Sequence, residues 1–257
     1  MANIKVDYID HMGNDLTVVN AARVSFDKES EAVDWYDTEQ SNHYFPLPVL
    51  DPKDIKLINY LAKHNHWSPF SHCFIQFRIK APIFVARQLM KHTVGLAWNE
   101  VSRRYVDSSP EFYQPTYFRR KAPNVKQGSS SEPVKSHTDW NATVDKYTAY
   151  MVTLYELMLK EGICPEQARM ILPQSMMTEW YWSGSLDAFA DMCKLRCKSD
   201  TQYETRIVAD KINVIMADLF PHSWDALLCV TEDVLTPKIL LKLDDYTAWE
   251  YYNEGTE

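Results

Sequence analysis

Four cations, Arg87, Lys91, Arg103 and Arg104, lie in the stretch Ala86 to Tyr105, ARQLMKHTVGLAWNEVSRRY, beside one carboxylate, Glu100. The chain as a whole carries a formal net charge of −8, so this stretch reverses the local field. Among the cations stand Gln88, His92, Asn99 and Ser102, side chains that bond phosphate, sugar or base edges. Guanidinium forks and a hydroxyl suit a phosphate dianion. A Gln, an Asn and a Glu suit a pyrimidine edge or a ribose hydroxyl. A solvated helix end followed by a basic surface loop would account for the charges. It would not account for their mixture with Val94, Leu96, Trp98 and Val101.

The elements that must hold this stretch are partly legible. Cys73, Ile75, Phe77 and Ile79 alternate with Phe74, Gln76, Arg78 and Lys80, the period of a half-buried strand running to the break at Pro82. Ile83 to His92 then reads as a helix. Arg87 and Lys91 are four apart on it, and Gln88 and His92 repeat that spacing one step round. Four polar groups would thus face one pocket, with Ile83, Phe84, Val85 and Leu89 packed behind. Upstream, Asn3 to Asp7 alternate as a strand, and Leu16 to Phe26 begins β-like before Ala21-Ala22-Arg23. Asp27 to Pro48 reads as an irregular insertion that lies against a neighbouring subunit. Asp51 caps a helix with Pro52 in its first position and Ile55, Ile58, Leu61 and Ala62 at helical spacing. Downstream, Val106 to His137 is a long connection, with a flexible loop expected at about residues 121–137. Thr138 or Asp139 caps a long helix ending at Gly162, with a stripe of Val144, Tyr147, Met151, Leu154, Leu157 and Met158. Pro165 opens a short one closed by Pro173. Leu186 to Lys198 is a helix with Ala188, Phe189, Met192 and Leu195 inward. Asp200 caps the last, Thr201 to Phe220. An acidic tail follows Thr231.

Composition removes several classes. At 257 residues and 46% hydrophobic, the chain can bury a sizeable core in one large domain or two small ones. Its acidity argues against nucleic-acid binding. Eight Trp and fifteen Tyr supply rings for a core and subunit contacts, or stacking surfaces for flat ligands. The five cysteines are odd in number and lack a zinc pattern, so they read as reduced thiols of a cytoplasmic protein. His64, His66 and His72 have irregular spacing and no carboxylate among them, so no metal is expected. No signal peptide opens the chain, and no apolar run approaches the roughly 20 residues that span a bilayer. With only six Gly and no GxGxxG, a dinucleotide-binding turn has no support.

The central stretch resembles the signature of flavin-dependent thymidylate synthases. That signature opens with Arg-Gln, here Arg87-Gln88. It passes through Arg-His-Arg, here Lys91-His92-Thr93, and closes as Asn-Glu-x-Ser-x-Arg-Tyr, here Asn99 to Tyr105. Lys91 and Thr93 stand where the family has arginines, and eight residues separate the triplet from Ser102 where seven are usual. Ala22-Arg23-Val24-Ser25, His66-Trp67-Ser68-Pro69-Phe70, Ala168-Arg169-Met170-Ile171-Leu172-Pro173 and Leu195-Arg196 match further elements, so the likeness runs from about residue 22 to 202. It implies an α+β fold, an antiparallel sheet flanked by helices in a single domain over 1–257, assembled as a homotetramer with shared sites. It implies reductive methylation of dUMP to dTMP, with methylenetetrahydrofolate as carbon donor and FAD reduced by NADPH, and no cysteine nucleophile. Arg196 would be the catalytic residue, stabilising charge on the uracil ring. The dUMP set would be Gln88, Leu89, Met90, Lys91, Glu100, Val101, Ser102, Arg103, Arg104 and Arg169, with Arg196. FAD would meet His66, Ser68, Lys91, His92, Thr93, Glu100, Ser185, Leu186, Asp187 and Asp191, with His66 lining the flavin or folate side. The alternative is a nucleotide-binding protein of the same fold that has lost flavin chemistry.

Overall fold

The computed structural model describes residues 2–36, 46–106, 108–123 and 129–229. Four strands form one fully antiparallel sheet in the order β1 (Lys5–Met12), β4 (Phe74–Pro82), β8 (Met177–Ser185), β5 (Leu96–Glu100). Two further pairs are short: β2 (Asp34–Tyr36) with β3 (Leu47–Val49), and β6 (Arg119–Lys121) with β7 (Ser129–Pro133). The helices are α1 (Asp15–Arg23), α2 (Pro52–Lys63), α3 (Ile83–Leu89), α4 (Trp140–Lys160), α5 (Pro165–Ala168), α6 (Leu186–Arg196), α7 (Tyr203–Leu219) and α8 (Pro221–Leu228). The α+β class and the antiparallel sheet flanked by helices are as expected.

The alternation in β4 does what its period requires. Ile75, Phe77 and Ile79 are fully buried, and Trp180 and Trp182 of β8 join them on the same face. Phe189, Met192, Val208, Ile212 and Trp224 from α6, α7 and α8 cover that face. Burying each large apolar side chain is worth about 1.5–3 kcal/mol, so this layer is the main source of stability. The opposite face is open in the single chain. Phe74 and Tyr181 remain 41% and 42% exposed there, and Arg78, paired with Glu179, lies opposite Tyr181 in the ladder.

The start of α2 is as read, with Asp51 accepting from Lys53 N and Pro52 first in the helix. Asp139 caps α4 through Ala142 N. Several expectations change. Leu16 to Phe26 is helix α1 and a 3-10 turn, not β-like at its start, because Asn14 and Thr17 form a reciprocal capping box and Val18 and Val19 bury completely. The helix expected to reach His92 stops at Leu89. Residues 90–95 form turns, and strand β5, which the sequence reading did not assign, follows and pairs with β8 from Leu96 to Glu100. The apolar stripe of α4 does not enter this chain's core. Tyr155 is its one buried residue, while Tyr147 and Leu157 are 63% and 50% exposed. Leu195, assigned to the inward stripe of α6, is 49% exposed. Helix α7 begins after Gln202, not Asp200. Helix α8 went unread, and its N-terminus is held from across the fold by buried Asp15, which accepts from His222 N and Ser223 N at 2.9 Å each. The residues expected to be a loop at 121–137 include strand β7, and 124–128 lie outside the described residues, as does the acidic tail.

Candidate active site

A cavity of about 710 Å³ opens between the end of α2, the turn Asn65–Trp67, the link from α3 to β5 and the first turns of α6. Its walls carry His66, Trp67, Ser71, Lys91, His92, Thr93, Ser185, Asp187, Asp191 and Lys194. Local chemistry brings these segments together. Asn65 takes a left-handed φ of 57°, a conformation asparagine tolerates, and so turns the chain sharply after α2. Gly95 does the same at φ +70° between the triplet and β5. Gly184, which pairs with the next residue, Leu96, has no room for a side chain. A Cβ there would lie 2.3 Å from Leu96 Cδ2 and 2.5 Å from Gly95 O. The register Leu96↔Gly184 therefore draws the 91–96 wall against the start of α6.

Most of the flavin set meets at this cavity: His66, Lys91, His92, Thr93, Ser185, Asp187 and Asp191 all line it. Three do not. Ser68 is exposed outside the lining, and Leu186 is fully buried in the core. Glu100 sits at the far end of β5, accepting from Thr178 Oγ1 at 2.7 Å and Trp98 Nε1 at 3.2 Å. Both carboxylates of the cavity are engaged. Asp187 accepts from Ser71 Oγ at 2.8 Å, and Asp191 pairs with Lys194 at 2.9 Å. Trp67 and Lys194 were not assigned from sequence. The signal for Trp67 was its place between two matched residues, and for Lys194 its position three residues after Asp191 on one helix face.

Arg196 ends α6 at the edge of this cavity. Its Nε donates to His92 Nε2 at 3.0 Å. A guanidinium only donates, so His92 offers an unprotonated Nε2 and keeps its proton on Nδ1. Burial, and then the Arg196 charge, push His92 below its ordinary pKa. The sign follows: the ring is neutral at and above the usual histidine range and becomes charged only as pH falls below it. Protonation would replace the Arg196–His92 hydrogen bond with two like charges. The unfolded chain takes up that proton first, so the pair's contribution to stability is also lost in this acid window. Turnover should hold through the ordinary histidine range and fall only at pH below it. In His92→Gln, whose Oε1 accepts without titrating, that acid limb should flatten. An unchanged pH profile in the variant would contradict the assignment.

The nucleotide set is less assembled. The expectation that Arg87, Gln88, Lys91 and His92 face one pocket fails because α3 ends at Leu89. Lys91 and His92 line the cavity, Arg87 is exposed, and Gln88 turns toward α7. There Gln88 Nε2 donates to Gln202 Oε1, and its Oε1 accepts from Thr205 Oγ1 at 3.1 Å. Leu89 is fully buried in the core, so its side chain is not available to a ligand, whereas Met90 is exposed. After β5, Ser102 Oγ accepts from Arg104 Nε at 3.3 Å, Arg104 also stacks on Tyr105, and Arg103 donates to Ser108 O. Val101 and Arg169 are exposed. Gln88, Glu100, Val101, Ser102, Arg103, Arg104 and Arg169 thus stand outside the lining of the cavity in a single chain.

No described helix is long and apolar enough to cross a membrane. Among the described residues no group of three or more His, Cys, Asp or Glu could hold a metal ion. All five cysteines are free thiols.

The family described as thymidylate synthase complementing protein matches residues 7–222. A flavin-dependent thymidylate synthase of Thermus thermophilus is 35% identical over 221 residues, covering 86% of this chain and 74% of the relative. One from Thermotoga neapolitana is 34% identical over 223 residues, covering 87% and 90%. The solved structure of a UMP/dUMP methylase, PolB from Streptomyces cacaoi, bound with 5-Br dUMP, shares the fold with a TM-score of 0.71 at 29% identity, covering 91% of this chain and 97% of that one.

Proposed function

The chain belongs to the thymidylate synthase complementing protein family, and from that membership we propose that it is a flavin-dependent thymidylate synthase. It methylates dUMP to dTMP, with methylenetetrahydrofolate giving the one-carbon unit and NADPH the hydride. The observation that carries this reading is the cavity itself. Three sequence-distant segments, 65–71, 91–96 and 185–194, converge on it, and Arg196 stands at its edge hydrogen-bonded to one of its walls.

The residues present fit FAD. The volume is that of a small-molecule cofactor site. Trp67, 65% exposed, offers a ring face at the rim. Lys91 supplies positive charge, and Thr93 and Ser185 supply hydroxyls. Asp187 and Asp191, which would repel a diphosphate, are taken up by Ser71 and Lys194. When bound, FAD supplies the hydride it receives from NADPH. The chain's own residues do the rest. His92 accepts from Arg196 Nε and so aims the guanidinium, leaving its terminal N–H groups for the uracil ring. A cation fixed in advance where negative charge develops raises the nucleophilicity of the ring carbon at no reorganisation cost. Ser102, Arg104, Gln88 and Arg169 hold phosphate, sugar and base.

The working enzyme is a homotetramer in this reading. The open sheet face at Phe74 and Tyr181, and the exposed Tyr147, Tyr150 and Leu157 of α4, are surfaces for other protomers. The nucleotide residues outside the cavity of one chain would then complete the cavity of another. Purified protein should be yellow, should release FAD on denaturation, and should oxidise NADPH faster when dUMP is added. Colourless protein that cannot take up FAD would favour a nucleotide-binding protein without flavin chemistry.

A further inference from the structure

We propose that a one-way chain of hydrogen bonds locks the Gln88 amide in a single orientation, and that this lock makes the nucleotide site select uracil over cytosine. The proposal rests on reading Gln88 as part of the dUMP site.

The chain starts at an ion pair, Arg119 Nη2 to Glu204 Oε1 at 2.8 Å, with side chains only 16% and 7% exposed. Arg119 also lies over the Tyr203 ring at 4.5 Å, which fixes it further. The other carboxylate oxygen, Glu204 Oε2, accepts from Gln202 Nε2 at 3.2 Å. An ionised carboxylate can only accept. Gln202 must therefore turn its NH2 toward Glu204 and its oxygen toward Gln88. That oxygen receives Gln88 Nε2, so Gln88 must in turn place its own NH2 there. The remaining end, Gln88 Oε1, is met by the hydroxyl donor of Thr205, a residue with no exposed surface. Reversing either amide would set two acceptor oxygens against each other in a half-buried place, and an unmet buried polar group is costly. The direction is thus imposed from Glu204 outward, although Gln88 and Glu204 stand 116 positions apart in the sequence.

The chemical consequence concerns the base. A primary amide has two N–H donors and two acceptor lone pairs. The network uses one of each on Gln88, and no described residue takes the others. Uracil presents an acceptor O4 beside an N3–H donor. Cytosine presents the inverse, an N4 amino donor beside an acceptor N3. A freely rotating glutamine matches either edge by turning over, whereas a glutamine whose direction is imposed by Gln202 matches one. A well-placed bidentate amide contact discriminates between bases by about ten- to hundredfold. Glu204 and Gln202 are then positioning residues for specificity, acting through Gln88 without touching substrate.

The test compares the affinities of the flavin-loaded holoenzyme for dUMP and dCMP, read from perturbation of the flavin spectrum. Wild type should prefer dUMP. Glu204→Gln, which keeps the shape but can donate as well as accept, should lower the dUMP-to-dCMP affinity ratio about tenfold or more, raise KM for dUMP and leave kcat nearly unchanged. Gln202→Leu, which removes the acceptor that fixes the direction of Gln88, should move the ratio the same way. It also decides the matter if the Glu204 variant does not fold. Flavin content and melting temperature establish folding. A ratio unmoved in a folded variant of either kind, or unmoved in Gln88→Leu, overturns the proposal while dUMP turnover by wild type leaves the proposed function standing. Absence of dUMP binding and turnover in wild type would instead defeat the functional reading, and this proposal with it.

Discussion

Arg196→Ala is expected to retain wild-type flavin content and to form dTMP roughly 10²–10³ times more slowly, the usual cost of removing one preorganised electrostatic donor. The argument is local. Arg196 is the last residue of α6, its Nε held at 3.0 Å by His92, and burial weakens its hold on the proton relative to an arginine in water. A half-desolvated guanidinium interacts more strongly with a developing negative charge than a hydrated one. The side chain is not itself in the lining of the cavity, so flavin should stay when it is removed. Arg196→Lys should recover little, because an ammonium cannot both donate to His92 along the fork and present a planar pair of N–H groups to the ring. Rapid-mix measurement of dTMP, with flavin absorbance as the loading control, separates the two readouts. Loss of flavin together with activity would recast Arg196 as a cofactor residue, and undiminished turnover would remove it from the mechanism.

Gly184→Ala is expected to empty the flavin cavity. The added Cβ would fall 2.3 Å from Leu96 Cδ2 and 2.5 Å from the Gly95 carbonyl oxygen. Leu96 can rotate, but a backbone oxygen cannot, and Gly95 is already committed to a left-handed turn at φ +70°. The start of β5 must therefore move off β8, and the wall formed by Lys91, His92 and Thr93 moves with it. Overpacking of this kind costs about 1–3 kcal/mol in stability. Displacing a binding wall by about 1 Å costs on the order of 10²-fold in function. Purified Gly184→Ala should thus be folded by circular dichroism, melt at lower temperature and carry little flavin. A variant with full flavin occupancy and unchanged affinity would show that the close β5–β8 approach does not shape the cavity.

These two residues mark the limit of what the sequence discloses. Arg196 entered the site through the family resemblance, on the pair Leu195-Arg196 at the end of an evident helix. Gly184 was not legible, because its importance comes from Leu96 and Gly95 across the ladder, far away in the chain. The same division holds elsewhere. Alternation in β4 and the Asp51-Pro52 start of α2 are written in consecutive residues, and both elements formed as read. Strand β5 was hidden because its residues, Leu96 to Glu100, alternate weakly amid charges and take their conformation from β8. The valines of α1 pointed toward a strand, and tertiary burial together with the Asn14 cap overruled them. Most of the flavin residues expected from motif matches do line the cavity. Helical spacing wrongly placed Gln88 beside His92, because the helix stopped three residues earlier than its pattern. The partner Gln88 does have, Gln202, lies on the turn into α7, where no periodicity could point to it.

The central claim is that the cavity and Arg196 together serve reductive methylation of a uracil nucleotide. It is tested most directly by incubating the purified protein with dUMP, methylenetetrahydrofolate and NADPH and quantifying dTMP. The predicted result is dTMP formed in step with NADPH consumed, with tetrahydrofolate as the other product and no dTMP when any component is withheld. NADPH consumption that ignores dUMP and yields no dTMP would contradict it.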